Sequence, residues 1–295
     1  MSHTKNSLFY GSATALVTPF KNGDVDYEAF ERLLDFQLSN STDAIVILGT
    51  TGEAPTVYEN ERNEIISFAK KKINSRVPLI VGTGSNATSV AVRYTKAAEA
   101  LGADGCLVVS PYYNKATPKG LVEHYKAIAQ EVKIPIIIYN VPMRTGVNIP
   151  MEVYGALAEV QSITAIKEAS GSLGYLTELI QKYGNRYDIY TGCDELILPT
   201  LALGGEGVIS VVSNIVPSLT HRLCDEMRKG NIRASREIQL YLSPLISELF
   251  CEINPIPVKT ALSQMGLCSD ELRLPLCKST RENQLSRILS EYGLI

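Results

Sequence analysis

Residues 105–139 carry the pattern on which the fold prediction rests: GCLVVSPYYNKATPKGLVEHYKAIAQEVKIPIIIY. The segment begins and ends with apolar runs, residues 105–109 and 134–139, whose nearly continuous apolar character is typical of strands buried on both faces. Between them, Thr117 and Pro118 form an N-cap and first-turn signal, and apolar residues then recur at helical spacing. This stretch therefore predicts one strand–helix–strand unit with parallel strands.

The same alternation recurs along most of the chain. Asp26 is the predicted N-cap of an early helix and Gly102 the predicted end of a later one. Eight strand–helix units are the number found in a parallel (β/α)8 barrel, which is the predicted α/β fold. An open, doubly wound sheet is the alternative, although the G-x-G-x-x-G turn expected of it does not occur. The eight predicted strands are residues 13–20, 43–48, 77–81, 105–109, 134–139, 163–166, 187–190 and 207–212.

The last part of the chain departs from this alternation. Residues 231–295 are rich in helical patterns, with one interruption at Asn254-Pro255-Ile256-Pro257. We therefore expect two parts, a (β/α)8 barrel at residues 1–230 and a C-terminal helical region at residues 231–295.

The composition excludes several classes of protein. Of 295 residues, 45% are hydrophobic and 20% charged, and the formal net charge is −3. Intrinsic disorder requires low hydrophobicity with high net charge, and nucleic-acid binders usually carry a basic excess. The sequence contains no run of about 18 uncharged apolar residues that could span a bilayer. Residues 1–10 lack the apolar core of a signal peptide. We expect a cytoplasmic protein that binds neither nucleic acid nor membrane.

The cysteines and histidines narrow the chemistry. Six scattered cysteines without a C-x-x-C pair are predicted to be reduced, mostly buried thiols. His3, His124 and His221 are too far apart for an H-x-x-x-H ligand pair, which argues against a zinc or His-ligated metal site. The G-x-S-x-G motif of many hydrolases is also missing. Catalysis would therefore fall to Lys, Tyr, Asp or Glu.

Lys167 is the first candidate, because it lies at the end of the sixth predicted strand, where barrel enzymes place their active sites. Ile163, Ala165 and Lys167 are expected to share one strand face, since successive side chains alternate. Both faces of a barrel strand are dry, and desolvation favours the neutral amine that a Schiff-base nucleophile needs. Alternatively, Lys167 reaches solvent at the rim or pairs with Glu168 or a neighbouring acid.

Hydroxyl groups lie at other predicted strand ends, on Thr50, Thr51, Tyr113 and Tyr139. A Schiff-base reaction moves several protons, and a tyrosine could carry them where no histidine is available. The glycine-flanked threonines could hold a small carboxylate, and Arg144 could bind one bidentately. Each of these residues, taken alone, fits an ordinary structural or solvated role at least as well.

Together, in order and at matching intervals, these motifs resemble the dihydrodipicolinate synthase family of pyruvate-dependent Schiff-base aldolases. The resemblance covers essentially the whole chain. It implies that pyruvate and L-aspartate 4-semialdehyde condense to 4-hydroxy-tetrahydrodipicolinate, the entry step of the diaminopimelate/lysine pathway. It further implies no metal or organic cofactor and a homotetramer built from two tight dimers. The matching motifs are Gly49-Thr50-Thr51-Gly52-Glu53, Gly82-Thr83-Gly84, Ser110-Pro111-Tyr112-Tyr113-Asn114, residues 139–146, Ile166-Lys167-Glu168, Gly207-Val208-Ile209-Ser210 and Asn254-Pro255-Ile256-Pro257.

The resemblance implies catalytic roles for residues at matching positions. Lys167 would form the imine with pyruvate, and Tyr139 would be the acid/base beside it. Thr51 would link Tyr139 to Tyr113, the residue that in the family reaches across from the neighbouring subunit.

The remaining matches concern substrate binding. Thr50 and Thr51 would hold the pyruvate carboxylate, the backbone of Ile209 would contact the bound pyruvate, and Gly192 is predicted to belong to the same binding site. Arg144 would receive the carboxylate of aspartate semialdehyde. Relatives that act on sialic acid or sugar-derived keto acids look different in the loop that carries Arg144, so this loop discriminates between substrates.

One departure from the family pattern concerns regulation. Lysine-inhibited members share polar residues in a pocket at the tight-dimer interface, and Asn86 and Tyr112 match them. Val90 replaces a glutamate and so removes the carboxylate that would pair with the ammonium group of lysine. Weak or absent inhibition by lysine is therefore predicted. The other differing positions are Pro55, Glu59 and Arg62.

Two alternative functions remain open. The first is a sister aldolase that cleaves a sugar-derived 2-keto acid, against which Arg144 argues. The second is a non-catalytic barrel that binds pyruvate-like ligands as a sensor. Such a sensor would not need the lysine, tyrosines and threonine of a proton relay.

Overall fold

The structure, a computed structural model, describes residues 7–295. Eight parallel strands, β1 to β8, close into a barrel in which β8 pairs with β1. The predicted (β/α)8 barrel is confirmed, and its closure excludes the open doubly wound sheet. The strands are Gly11–Ala15, Ala44–Ile47, Leu79–Gly82, Gly105–Val109, Ile136–Asn140, Ile163–Glu168, Asp188–Thr191 and Gly207–Ser210.

Helices α1 to α9 lie between and after the strands, and α10 to α12 form the predicted C-terminal helical part. The predicted caps are confirmed: Asp26 accepts a hydrogen bond from Ala29 N at 3.0 Å, and Thr117 accepts one from Gly120 N at 3.2 Å. The helices are Tyr27–Ser39, Glu59–Ile73, Thr88–Ala100, Pro118–Ala129, Pro142–Thr145, Met151–Ala156, Leu173–Tyr183, Ile197–Ala202, Pro217–Arg228, Ile232–Leu249, Ile256–Gln264 and Glu282–Glu291.

The first strand is shorter than predicted. It ends at Ala15, whereas the apolar run predicted a strand to Phe20. Pro19 has no backbone N–H with which to continue a ladder. Phe20 instead pairs with Val25 in a short antiparallel hairpin outside the barrel.

The predicted common face of Ile163, Ala165 and Lys167 is wrong for Ile163. Successive residues of β5 pair with Ile163 and with Ala165, so Thr164 is an extra residue in β6. Such a bulge shifts the alternation of side chains by one position. Ile163 therefore packs between the barrel and the helices, while Ala165 faces the barrel interior.

The barrel interior is filled at the end where the strands begin. The ring of Phe9 stacks on Tyr190 with centroids 4.2 Å apart, and the Tyr190 hydroxyl donates to Phe9 O. Small and branched side chains occupy the layers above them, so the open space lies at the C-terminal strand ends. The interior side chains include those of Ala13, Ala44, Ile80, Ile137, Ala165 and Ile209.

The C-terminal helices return to the barrel. Lys259 Nζ of α11 is 2.6 Å from Glu53 Oε1 in the loop after β2, and Arg273 binds Glu61 of α2. The division into residues 1–230 and 231–295 stays a prediction, and residues 1–6 lie outside the described part, as does most of the segment examined for a signal peptide.

Within residues 7–295, every helix falls short of the length or the apolar character needed to cross a bilayer.

Candidate active site

Lys167 is the penultimate residue of β6, and its side chain is directed into the barrel, in register with Tyr139 of β5 and Tyr190 of β7. It lines a cavity of about 890 Å³ at the C-terminal strand ends, and only 6% of the residue is exposed. Burial lowers the pKa of Lys167 to about 8; the charge of Asp194 opposes this shift, and that of Arg144 adds to it. A buried amine with this pKa is partly neutral near physiological pH and can act as a nucleophile.

Glu168 does not pair with Lys167. Its carboxylate accepts a hydrogen bond from Asn140 Nδ2 at 2.7 Å and another from Ser170 N. Burial raises the pKa of Glu168 above its ordinary value, although these hydrogen bonds oppose the shift. Because neighbouring strand residues face opposite sides, Glu168 supports the end of β6 from outside the barrel while Lys167 points inward.

The ring of Tyr139 lies beside the Lys167 amine. Lys167 Nζ lies 4.5 Å from the centroid of the Tyr139 ring. Burial raises the pKa of Tyr139, while a hydrogen bond with the Thr50 side chain and the charge of Arg144 lower it. The phenol is therefore protonated at neutral pH and is placed to exchange a proton beside the amine.

The Thr50 side chain hydrogen-bonds to Tyr139, whereas the predicted link of Tyr139 to Tyr113 through Thr51 stays a prediction. The Thr51 hydroxyl accepts a hydrogen bond from Asn254 Nδ2 at 3.0 Å. The two adjacent threonines therefore have different hydrogen-bond partners, which the sequence alone does not indicate. Both threonines still line the large cavity, as a carboxylate-binding role would require.

Gly192 leaves the space that the Lys167 side chain occupies. A Cβ on Gly192 would lie 2.6 Å from Lys167 Cε and 2.7 Å from Ala169 Cβ. Gly192 also lies in the cavity wall, as its predicted role in the binding site requires. The contact adds a reason for glycine here that the sequence did not reveal.

Arg144 stands at the mouth of the cavity in the short helix α5. Its Nη2 donates to Asn254 O at 3.0 Å, and the exposed residue lines the cavity. A guanidinium has donors left for a carboxylate in this position. Asn254 therefore contacts both Thr51 and Arg144, and the sequence analysis had given it no individual role.

Two predicted residues stand apart from this group. The side chain of Ile209 is buried in the barrel interior, and Val211, two residues further on, forms the cavity wall. Tyr113 is 92% exposed, with a backbone φ of +70°, and lines neither of the two cavities at this end of the barrel. The backbone contact of Ile209 and the relay role of Tyr113 stay predictions.

Asp194 is a charged group of the site that sequence reasoning missed. It is completely buried and accepts hydrogen bonds from Val211 N at 3.0 Å and Val212 N at 2.8 Å. Burial raises its pKa to about 6, and its negative charge favours the protonated form of Lys167. Its only signal was its place in the polar segment after the seventh strand.

A second cavity, of about 470 Å³, adjoins the first and shares Thr50, Tyr139 and Arg144 with it. Val90 and Arg62 lie in its wall, and the Arg62 guanidinium stacks on Tyr94 at 4.2 Å from the ring centroid. These are two of the positions at which the resemblance implies a departure from lysine-inhibited members. The predicted lack of lysine feedback remains untested.

Known proteins are similar to this chain in sequence and fold. The model of the dihydrodipicolinate synthetase family matches residues 8–291. The 4-hydroxy-tetrahydrodipicolinate synthase of Alkaliphilus oremlandii is 48% identical over 277 residues, covering 94% of this chain and 96% of the relative. The crystal structure of dihydrodipicolinate synthase from Aquifex aeolicus superposes with a TM-score of 0.95 at 47% identity, covering 97% of this chain and 99% of that one. The chloride-inhibited enzyme from Acinetobacter baumannii, solved in complex with pyruvate, has a TM-score of 0.94 at 40% identity, with 97% and 99% covered.

Proposed function

The chain belongs to the dihydrodipicolinate synthetase family, and on this premise we propose that it condenses pyruvate with L-aspartate 4-semialdehyde to 4-hydroxy-tetrahydrodipicolinate. This is the entry step of the diaminopimelate/lysine pathway. The observation that carries the proposal is the buried amine of Lys167, whose pKa is lowered to about 8, beside Tyr139 at a cavity mouth that holds Arg144.

The chemistry begins at Lys167. Its neutral amine attacks the ketone carbon of pyruvate, and the ketone oxygen leaves as water to give an iminium ion. The iminium withdraws electrons, so the methyl group loses a proton and an enamine forms. The enamine carbon then adds to the aldehyde carbon of the semialdehyde, whose oxygen takes up a proton. Finally the amine of the second substrate displaces Lys167 and closes the ring.

Tyr139 and the two loop threonines, Thr50 and Thr51, are proposed to carry the protons of these steps. The Tyr139 phenol lies beside the amine and is hydrogen-bonded to Thr50, so a proton leaving or joining the substrate has a short route. Tyr113 of a second copy of the chain would complete this relay toward solvent. We therefore propose a homotetramer of two tight dimers in which Tyr113 crosses the tight interface.

Substrate binding is proposed to divide between the two ends of the cavity. Thr50, Thr51, Gly192 and the Ile209 backbone would hold pyruvate near Lys167. Arg144 would bind the carboxylate of the semialdehyde. A site built for this second carboxylate disfavours a sugar-derived keto acid as the substrate. The six free cysteines accord with a reducing compartment, so the cytoplasm is the proposed location.

Reductive trapping tests the proposal. The protein is incubated with pyruvate and borohydride, and the modified residue is identified by mass spectrometry. A pyruvate-derived adduct on Lys167, lost in Lys167→Ala together with turnover but kept in the exposed-lysine control Lys119→Ala, supports it. Pyruvate binding without an adduct would point to the non-catalytic barrel, and turnover of a sugar-derived keto acid but not of the semialdehyde to the sister aldolase.

A further inference from the structure

The loop after β2, Gly49-Thr50-Thr51-Gly52-Glu53, carries two of the proposed site hydroxyls and ends in a strained backbone conformation. Glu53 has a φ of +52°, in the left-handed region that non-glycine residues rarely adopt. Such a conformation persists only where its surroundings hold it. The loop therefore depends on contacts outside itself.

Glu53 is held by Lys259 of α11. Their charged atoms lie 2.6 Å apart, and the two side chains are 1% and 0% exposed. Lys259 Nζ also donates to Glu271 O at 2.7 Å, and Glu53 accepts a hydrogen bond from Arg273 N at 3.2 Å. A buried ion pair whose remaining polar atoms are hydrogen-bonded is geometrically specific. The pair thus fixes the end of the loop relative to the C-terminal helices.

The C-terminal segment that carries Lys259 also contacts the loop next to the proposed catalytic residues. Asn254, five residues before Lys259, donates to Thr51 Oγ1 and accepts from Arg144. Thr50, in the middle of the loop, lines the same two cavities as Tyr139 and hydrogen-bonds to it. A shift of the loop would therefore disturb several groups of the proposed reaction together.

We propose that the buried Glu53–Lys259 ion pair is a positioning pair of this active site, holding residues 49–53 so that Thr50 meets Tyr139 and Thr51 meets Asn254. Both residues act through the loop and not on the substrate. The inference rests on the proposed function, because the reaction supplies its readout.

The test replaces both members, Glu53→Met with Lys259→Met. Removing one partner leaves a buried unpaired charge, whereas replacing a whole buried ion pair by apolar residues often leaves stability nearly unchanged. We expect the double variant to fold and to form the borohydride-trapped adduct on Lys167 at saturating pyruvate. Its kcat should fall by about tenfold to a hundredfold and its pyruvate KM should rise, because the loop hydroxyls are misplaced.

A matched control is Asp104→Asn, which weakens an ion pair with Lys70 just before the start of β4, at the barrel end opposite residues 49–53. It should lower the melting temperature and leave kcat and KM unchanged. A folded double variant with kcat and KM within about twofold of the wild type would overturn the proposal. If that variant does not fold, Glu53→Gln is judged by the same criteria, and failure of both to fold would show a folding role alone and also overturn it. Absence of an adduct in the wild type would instead defeat the proposed function and this inference with it.

Discussion

At the scale of single residues, the chemistry depends on the amine of Lys167, whose protonation is affected in opposite directions by its surroundings. Burial disfavours the charged form of Lys167, while the carboxylate of Asp194 favours it. The result is a pKa of about 8, low enough to supply neutral amine and high enough to keep it basic. Tyr139 beside it stays protonated, because its own pKa is raised by burial.

The pH dependence of pyruvate capture follows from this value. Because only neutral Lys167 attacks, kcat/KM for pyruvate should rise with pH and level off above about 8. The charge of Arg144 lowers the pKa of Lys167, so Arg144→Ala should move the inflection to higher pH. Trapping rates measured across a pH series give both values. An inflection near the 10.5 of an ordinary lysine would contradict the assignment.

Arg144 should affect the second substrate more than the first. Arg144→Ala should leave the pyruvate adduct at saturating pyruvate intact and lower kcat/KM for aspartate semialdehyde by about tenfold to a hundredfold, as for a lost charged hydrogen bond of about 1.5–3 kcal/mol. Arg144→Lys should recover only part of this, because an ammonium cannot bind a carboxylate bidentately. Steady-state kinetics with each substrate varied decides, and unchanged semialdehyde kinetics would remove Arg144 from the site.

At the scale of elements, strand ends and the loops after them place the reacting groups. β5 and β6 pair Tyr139 with Lys167 directly, so the distance between phenol and amine is set by the sheet. The loop after β7 leaves room for Lys167, because Gly192 has no side chain at the position that the lysine occupies.

Gly192→Ala tests this close packing. The added methyl group would meet both Lys167 Cε and Ala169 Cβ, so the lysine must leave its position. We expect a slower trapping reaction in a protein that still folds. Gly174→Ala is the control, because its added methyl group meets only Ser172 Oγ, at 3.9 Å. Trapping at the wild-type rate in Gly192→Ala would show that the lysine has room to spare.

At the scale of the whole molecule, one proposed catalytic group, Tyr113, is not part of the wall of either cavity of its own chain. Tyr113 is a large exposed aromatic residue, as its proposed insertion into a second copy requires. Activity would then depend on assembly, because each site would be completed by its neighbour.

Complementation tests the shared site. Tyr113→Phe should lower kcat without unfolding the chain, and the ring-conserving change Tyr58→Phe, at another exposed tyrosine, should not. Refolding Tyr113→Phe together with inactive Lys167→Ala should restore activity, since one mixed site contains both native residues. Mixtures no more active than Tyr113→Phe alone would place Tyr113 outside the partner's site.

Local pattern was sufficient for much of this molecule. The number of strands, the caps at Asp26 and Thr117 and the buried position of Lys167 follow from hydrophobic periodicity and strand ends, which depend on near neighbours in the chain. The early end of β1 at Ala15 and the bulge at Thr164 were missed, because neither a hairpin nor an extra strand residue changes the apolar pattern that predicts a strand.

Contacts between residues far apart in the sequence determine the features that the local pattern does not predict. Whether Thr50 or Thr51 meets Tyr139 depends on how the loop is held, and its anchor, Lys259, lies 206 residues from Glu53. Periodicity cannot reveal such a pair, because its energy exists only once the barrel has closed and the C-terminal helices have excluded water from both charges. The amino acids alone were thus enough to indicate a barrel with a reactive lysine, whereas the partners that orient its hydroxyl groups emerged from the folded chain.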